Sequence, residues 1–394
     1  MKIVHIILSC FYKEGYGYQE NILPSKHKDL GLETSIITYN GQYHILPKNI
    51  TEKPINEVIS YRNNNDIPVF ILPKNKSFIT RIPIIRAFTN YTKSFYDTLC
   101  KLSPDIIFAH GFKTPDHFSL IKYKKNNPNV KIFIDNHSDY YNTKFGIKEH
   151  IITKTYYRLL AKRLTKIVDT FWGVTPWRVQ YLEEVYNIPS SKTNLLVMGG
   201  DENLIDWANR DIIKSEIRKK YNILPNDFVL ITGGKIDKAK NIHLLIKAIS
   251  KLQQKKIKLL IFGNYEPNIY EECNTLFGNN IINIGWIKPE DVYSYFLASD
   301  LGVFPGTHSV LWEQACASGL PCIFKDWGEN RMKHLDVGGN CLFIKDISID
   351  NLIIHITSIF ENKNLYYKMY SIASTKAKDE FSYIKIAKRA INLT

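Results

Sequence analysis

Residues 231 to 249 read Ile231-Thr-Gly-Gly-Lys-Ile-Asp-Lys-Ala-Lys-Asn-Ile-His-Leu-Leu-Ile-Lys-Ala-Ile249. The apolar run from Phe228 to Thr232 predicts a buried strand, and the apolar spacing from Ile242 to Gln254 predicts an amphipathic helix. A strand that ends in paired glycines and is followed directly by a helix is the joint of a parallel α/β unit, with Gly233 and Gly234 letting the backbone turn. Lys235 follows the glycines, and Lys240 comes five residues later as the helix begins. Two ammonium groups beside a helix N-terminus are suited to a diphosphate. On charge alone, the same residues read equally well as a solvated lysine-rich loop.

The same rhythm continues on both sides of this joint. Downstream, strands are predicted at Lys258 to Phe262, Ile281 to Gly285, Leu301 to Phe304, Pro321 to Phe324 and Cys341 to Ile344, with helices at Asp291 to Ala298 and Leu311 to Ser318. Upstream, strands are predicted at Lys2 to Leu8, Thr34 to Thr38, Val69 to Leu72, Asp105 to Ala109, Lys131 to Asp135 and Thr170 to Val174. Helical patterns fill Gln19 to Leu30 and Ile84 to Leu102. A Pro-containing stretch, Asn187 to Gly200, separates the two series. The expected architecture is α/β with two doubly wound, Rossmann-like domains of residues 1–190 and 200–372, joined near 187–205. Ligands of such sheets sit at the carboxyl ends of the strands, and here also in a cleft between domains.

Composition narrows the function. A length of 394 residues suits two domains, and 44% hydrophobic with 23% charged residues is ordinary for a globular protein. The start, Met1 to Gly17, reads as a first strand and not as a secretory signal, and no apolar run approaches a membrane span. Six cysteines without CxxC pairs argue against zinc and disulfides and fit a reducing cytoplasm. The formal net charge of +14 suits anionic partners. Nucleic acid is disfavoured, since zinc-finger spacing, ribonucleoprotein aromatics and a basic tail are all lacking.

From residue 231 onward the sequence resembles glycosyltransferase family 4, the retaining transferases of GT-B fold. That family opens its second domain with a strand, Gly-Arg-Leu, a short gap, Lys-Gly and a helix. Gly234-Lys235-Ile236 through Lys240-Asn241 to Ala248 takes that place, with Lys for Arg at 235. The resemblance implies two domains facing across a cleft, with Lys235 and Lys240 gripping the donor diphosphate. It continues through Leu259-Leu-Ile-Phe-Gly263 and through Ile282-Asn-Ile-Gly-Trp-Ile287, where backbone meets the nucleotide base. It ends in Val303-Phe-Pro-Gly-Thr-His-Ser-Val-Leu-Trp-Glu-Gln-Ala-Cys-Ala-Ser-Gly-Leu-Pro321, similar to the family's phosphate loop and acidic helix. Glu313 takes the place of the Glu that bonds the donor ribose. The family's earlier Glu is replaced by Pro305, in a shortened loop where Thr307, His308, Ser309 and Val310 remain to meet phosphate or sugar.

The first half is similar more loosely. Gly15-Tyr-Gly-Tyr-Gln-Glu20 resembles the glycine-rich loop at the donor phosphates, which assigns Gly17. Ile134-Asp-Asn-His-Ser-Asp139 resembles the strand end whose His lies near the sugar, which assigns His137 a catalytic role beside Lys235 and Lys240. A structural histidine at a strand end is the alternative. His110 reads as structural or acceptor-lining. Gly234, Gly263 and Ile287 complete the implied donor site. Residues 366–393 resemble the closing helices, with 375–394 packing back on the first domain.

The implied activity is transfer of a hexose from a nucleoside diphosphate sugar to a surface-polysaccharide or polyprenyl-linked acceptor, with no cofactor and no metal, since no Asp-x-Asp is present. A related epimerase and a catalytically silent nucleotide-sugar-binding subunit stay open. Lys154, Arg158, Lys162 and Lys166 recur every four residues beside Leu159, Leu160, Leu164 and Ile167. That pattern is a solvated helix face or a docking surface for anionic lipid on the inner face of the cell membrane.

Overall fold

The computed structural model describes residues 1–10, 12–39, 55–74, 91–140, 143, 151–252, 254–329 and 331–393. They form two compact units, Met1–Val197 with Ala387–Thr394, and Met198–Ile386.

The first unit holds eight strands: β1 (Lys2–Ile7), β2 (Glu33–Tyr39), β3 (Ile59–Arg62), β4 (Pro68–Leu72), β5 (Ile106–His110), β6 (Lys131–Asn136), β7 (Thr170–Gly173) and β8 (Thr193–Leu195). Their order in the sheet is β3-β4-β2-β1-β5-β6-β7-β8. Every pairing is parallel except β3 with β4. The β-branched and aromatic runs of β1, β5 and β6 are buried on both faces, as central parallel strands require. Ile6, Ile107, Ile134, Phe171 and Leu120 meet in one core. The two strands absent from the sequence reading, β3 and β8, are a short edge strand that alternates in exposure and a three-residue strand. Neither carries a continuous apolar run. The helix expected over Ile84 to Leu102 is Phe95–Leu102: residues 91–94 are not helical, since Thr92 bridges to Lys74 and Ser94 sits at φ +63°, and residues 84–90 lie outside the described residues.

The second unit holds β9 (Phe228–Ile236), β10 (Ile257–Tyr265), β11 (Ile281–Gly285), β12 (Leu301–Phe304), β13 (Cys322–Lys325) and β14 (Cys341–Ile344), all parallel in the order β11-β10-β9-β12-β13-β14. Leu230, Ile246, Leu259, Val303 and Ile356 form its core.

Strand β9 does not turn at its glycines. It continues to Ile236, with Gly234 beside Gly263 and Lys235 beside Asn264. The glycines are required by close approach: a Cβ on Gly263 would stand 1.9 Å from the Gly234 carbonyl oxygen, and one on Gly233 would strike the Phe262 ring at 2.6 Å. Gly234 and Gly263 also lie at φ +109° and +119°, which side chains resist.

All six cysteines are free thiols; Cys273, Cys316, Cys322 and Cys341 are buried.

Candidate functional site

In the second sheet the chain runs from β9 outward through β10 to β11, then returns to lay β12 on the other side of β9. The loops that leave β9 and β12 flank this reversal, the place where open parallel sheets take ligands. They are locked together. Thr307 N donates to the Ala239 carbonyl oxygen at 3.1 Å, and Asn241 Nδ2 donates to the Pro305 carbonyl oxygen at 3.0 Å. Gly306 fits because it has no side chain; a Cβ there would stand 2.3 Å from the backbone of Lys240.

Lys240 Nζ donates to the carbonyl oxygens of Thr307 at 2.6 Å and His308 at 3.3 Å. Burial pulls its ammonium down to about 8, against a smaller upward pull from Asp237. Lys235 behaves differently. Its side chain is 67% exposed and reaches Glu266 at 3.0 Å and Asp237 at 3.3 Å. Hydrogen bonds to Glu266 and then Asp237 hold its ammonium above the ordinary lysine value. Asp237 is the shared element: its Oδ1 also accepts from the Lys240 backbone N–H at 3.1 Å, capping the turn Lys238–Lys240.

The helix Leu311–Ala317 carries Glu313, whose side chain is 0% exposed. Glu313 Oε1 accepts from His308 Nε2 at 2.8 Å and from His334 Nε2 at 3.3 Å. Burial alone would raise the carboxyl, but the two histidines, His308 foremost, outweigh it and bring it down to about 2. Glu313 Oε2 is buried with no hydrogen-bond partner among the described residues. A buried carboxylate oxygen without a donor costs about 1–3 kcal/mol or more, so a ligand hydroxyl placed there would be held strongly.

The structure therefore gathers several expected residues. Gly234 lies against the Leu311 side chain, where a Cβ would stand 3.0 Å away, and Gly263 lies beside Gly234. Lys240, Thr307, His308 and Glu313 join them through the bonds above. Ser309 and Val310 are half-buried, and their carbonyl oxygens accept from Trp312 N and Gln314 N at 3.0 Å as the helix starts. Ile287 is half-buried beyond Gly285, next to a 63% exposed Trp286. His308, which the resemblance assigns to phosphate or sugar, turns its Nε2 to Glu313. His334 and Asp237 escaped the sequence reading, and only Asp237 left a signal there, as a capping residue ahead of a helical turn.

Gly17 and His137 belong to the first unit. Gly17 is half-buried, and its chain neighbours Tyr16 and Tyr18 stack on each other with ring centroids 5.4 Å apart. His137 follows β6, is 34% exposed, and sets Nε2 3.4 Å from Asp135 Oδ2. Burial disfavours its charged form, but Asp135 outweighs this and the net shift is upward.

The basic segment is a π-turn, Thr153–Tyr157, running into the helix Arg158–Leu164. Leu160 and Leu164 are buried, whereas Leu159 and Ile151 are exposed. The Arg158 guanidinium is tied to the carbonyl oxygens of Val185 and Glu184. No helix among the described residues is long and apolar enough to cross a membrane, and these residues hold no cluster of three or more His, Cys, Asp or Glu placed for a metal.

Residues 213–376 match the family of glycosyl transferases group 1. Mannosylfructose-phosphate synthase of Agrobacterium fabrum is 22% identical over 275 residues, 65% of this chain and 58% of that protein. The capsular polysaccharide biosynthesis glycosyltransferase CapM of Staphylococcus aureus is 32% identical over 125 residues, 30% of this chain and 33% of that protein. The chain thus spans 58% and 33% of the length of these two curated relatives.

Solved structures align over nearly all of it. A glycosyltransferase from Rickettsia africae superposes with TM-score 0.69 at 17% identity over 100% of both chains. Anabaena HepE in complex with UDP-glucose gives 0.62 at 15% over 98% of each. The UDP-GlcNAc 2-epimerase of Neisseria meningitidis bound to UDP-GlcNAc gives 0.60 at 14% over 100% of this chain and 99% of that one. The fold is GT-B.

Proposed function

We propose that the protein is a metal-independent hexosyltransferase that uses a nucleoside diphosphate sugar and acts on a surface-polysaccharide or lipid-linked acceptor with retention. The observation that carries this reading is Glu313: a fully buried carboxylate, held by two histidines on one oxygen, whose second oxygen finds no donor among the described residues. A ribose hydroxyl supplies that donor. The match to glycosyl transferases group 1 over residues 213–376 supports it, as do the UDP and UDP-glucose held by HepE and the capsular polysaccharide biosynthesis of CapM.

In the reaction, the bond from the anomeric carbon to the diphosphate oxygen breaks, and the diphosphate leaves with the electron pair. The acceptor oxygen bonds the same carbon, and its proton passes to the departing diphosphate. Charge grows on the leaving group, so Lys240 and Lys235 stabilise the transition state more than the bound donor. His137 is assigned to the transferred sugar. His137→Ala then lowers turnover more than nucleotide affinity.

The test is a panel of nucleotide sugars incubated with and without polyprenyl phosphate-linked acceptors, read by nucleoside diphosphate release and by product analysis. Diphosphate release that depends on acceptor supports transfer. Recovery of an epimerised nucleotide sugar assigns an epimerase reaction, as in the UDP-GlcNAc 2-epimerase of Neisseria meningitidis. Nucleotide-sugar binding with neither product assigns a silent subunit.

A further inference from the structure

Four polar contacts run in series through the first unit. His27 Nε2 meets the Ala387 carbonyl oxygen at 2.8 Å, and His27 Nδ1 meets His5 Nε2 at 2.9 Å. His5 Nδ1 meets His110 Nε2 at 3.1 Å, and His110 Nδ1 meets Asp135 Oδ2 at 2.9 Å. His5 lies on β1, His27 on the helix Gln19–Asp29, His110 at the end of β5 and Asp135 on β6. All three rings are buried, and every ring nitrogen is engaged.

The ends of the series fix its protons. A carbonyl oxygen accepts only, and so does an ionised carboxylate, whereas a neutral imidazole donates from one nitrogen and accepts at the other. Starting from Ala387, His27 donates from Nε2 and accepts at Nδ1. His5 then donates from Nε2 and accepts at Nδ1, so His110 must donate from Nε2. Its Nδ1 faces Asp135, which also needs a donor. Four hydrogen bonds require four protons, and three neutral imidazoles carry three.

We propose that this series holds one proton beyond the neutral complement, on His110 against an ionised Asp135, and that the resulting ion pair positions His137. Two donors converge on the Asp135 carboxylate, which favours its anion: His110 Nδ1 on Oδ2 and the Gly111 N–H at 2.9 Å on Oδ1, with His137 Nε2 standing 3.4 Å from Oδ2. The charge does not sit further along the series, since burial drives His5 well down and His27 to about 4. An imidazolium beside a carboxylate leaves no net charge in the interior. Phe108 packs on both His5 and His110.

Other ionisable groups surround Asp135 and His137. Cys10 Sγ lies 3.5 Å from Glu20 Oε1 and 3.8 Å from the His110 carbonyl oxygen; Glu20 raises His137, and Arg178, paired with Asp139 at 3.1 Å, lowers it. Asp135, clamped by His110 and Gly111, fixes which nitrogen of His137 carries the proton and holds the ring in place. Asp135 and His110 are positioning residues. Their effect on turnover rests on the proposed role of His137; the proton count does not.

The test is imidazole 15N NMR on the full chain labelled at histidine, at neutral pH. The expected spectrum shows His110 protonated on both nitrogens, with His5 and His27 as neutral Nε2–H tautomers. A neutral His110 overturns the proposal, including one left neutral because Asp135 holds the proton. His5→Leu removes the acceptor of His110 Nε2 and is expected to return His110 to a neutral Nδ1–H tautomer; retention of both protons overturns the series as their cause. If that variant does not fold, the spectrum of the unmodified chain decides. For the positioning role, Asp135→Asn is expected to lower kcat at least tenfold, with KM for the donor within twofold and the pH profile displaced. Unchanged kcat and pH profile in an active enzyme overturn it. A chain inactive in every assay fails the transferase reading and leaves the NMR result standing.

Discussion

Lys240 Nζ donates to the Thr307 carbonyl oxygen at 2.6 Å, so the loop after β9 is fastened by its own cation to the loop after β12. The ammonium is thus held in place before any ligand arrives, which is how a charge contributes most to a developing anion. Two carbonyl oxygens neutralise it only partly, and burial brings it within reach of physiological pH.

Lys240 should give diphosphate binding an alkaline limb. Its folded value of about 8 lies below the ordinary 10.5, so the free protein loses this charge as pH rises through 8. Calorimetric affinity for nucleoside diphosphate is expected to fall between pH 7 and 9.5, with proton uptake on binding. Lys240→Arg should remove the limb, because a guanidinium stays charged. A flat profile in the unmodified protein would take Lys240 out of the diphosphate site. The sign for stability is opposite: between 8 and 10.5 the unfolded chain binds the extra proton, so this group makes folding more favourable as pH rises.

The two lysines should contribute unequally. Lys235 is 67% exposed and already paired with Glu266 and Asp237, so solvent and these acids screen it. Lys240→Ala is expected to lower turnover by roughly a hundredfold, as loss of one electrostatic donor commonly does, and Lys235→Ala by about tenfold. Lys235→Arg should be milder than Lys235→Ala. The double alanine variant should lose less than the product of the singles, since both act on one diphosphate. The readout is the affinity advantage of nucleoside diphosphate over nucleoside; an advantage untouched by either substitution makes this loop a solvated turn.

Glu313 should bind a hydroxyl of the donor ribose. Glu313→Gln keeps the shape, removes the charge and is expected to weaken donor binding tenfold or more, about 1.4 kcal/mol per tenfold. A donor lacking the bonded ribose hydroxyl should bind weakly to the parent protein and suffer little further loss on the variant. Independent losses would place the ribose elsewhere. Since the folded carboxyl sits near 2 and the ordinary one at 4.5, its stabilisation is complete above 4.5 and disappears as pH falls toward 2. Urea unfolding of the parent and Glu313→Gln proteins across that window should converge at the acid end.

The basic segment should hold anionic membrane. Lys154, Lys162 and Lys166 are exposed in the same segment as exposed Ile151 and Leu159, and each cation contributes about 1 kcal/mol near an anionic surface. Sedimentation with phosphatidylserine vesicles is expected at low salt and to weaken at high salt. Substituting the three lysines with Glu should abolish it. Equal binding to neutral vesicles would refute the docking surface.

The sequence by itself determined the layers of this protein. The buried runs of β1, β5, β6, β9, β10 and β12 and the amphipathic spacing of Ile242–Lys251 are local patterns, because a strand buried on both faces and a helix buried on one leave periods that any window of the chain displays. Glu313 and Lys240 were legible for the same reason: each sits in a short contiguous motif.

The tertiary structure decided what those residues touch. Gly233 and Gly234 read as a turn, yet a Cβ on Gly233 would strike the Phe262 ring of β10, some 30 residues away, and Gly234 sits at φ +109° against the Leu311 side chain. His334 reaches Glu313 from 21 residues downstream, and Lys235 finds Glu266 on another strand end. The chain of His5, His27, His110 and Asp135 is invisible in sequence, since its members come from four different elements and the carbonyl that orders its protons from a fifth. Hydrogen bonds and excluded volume depend on distances in space, and only the folded sheet brings those residues within them.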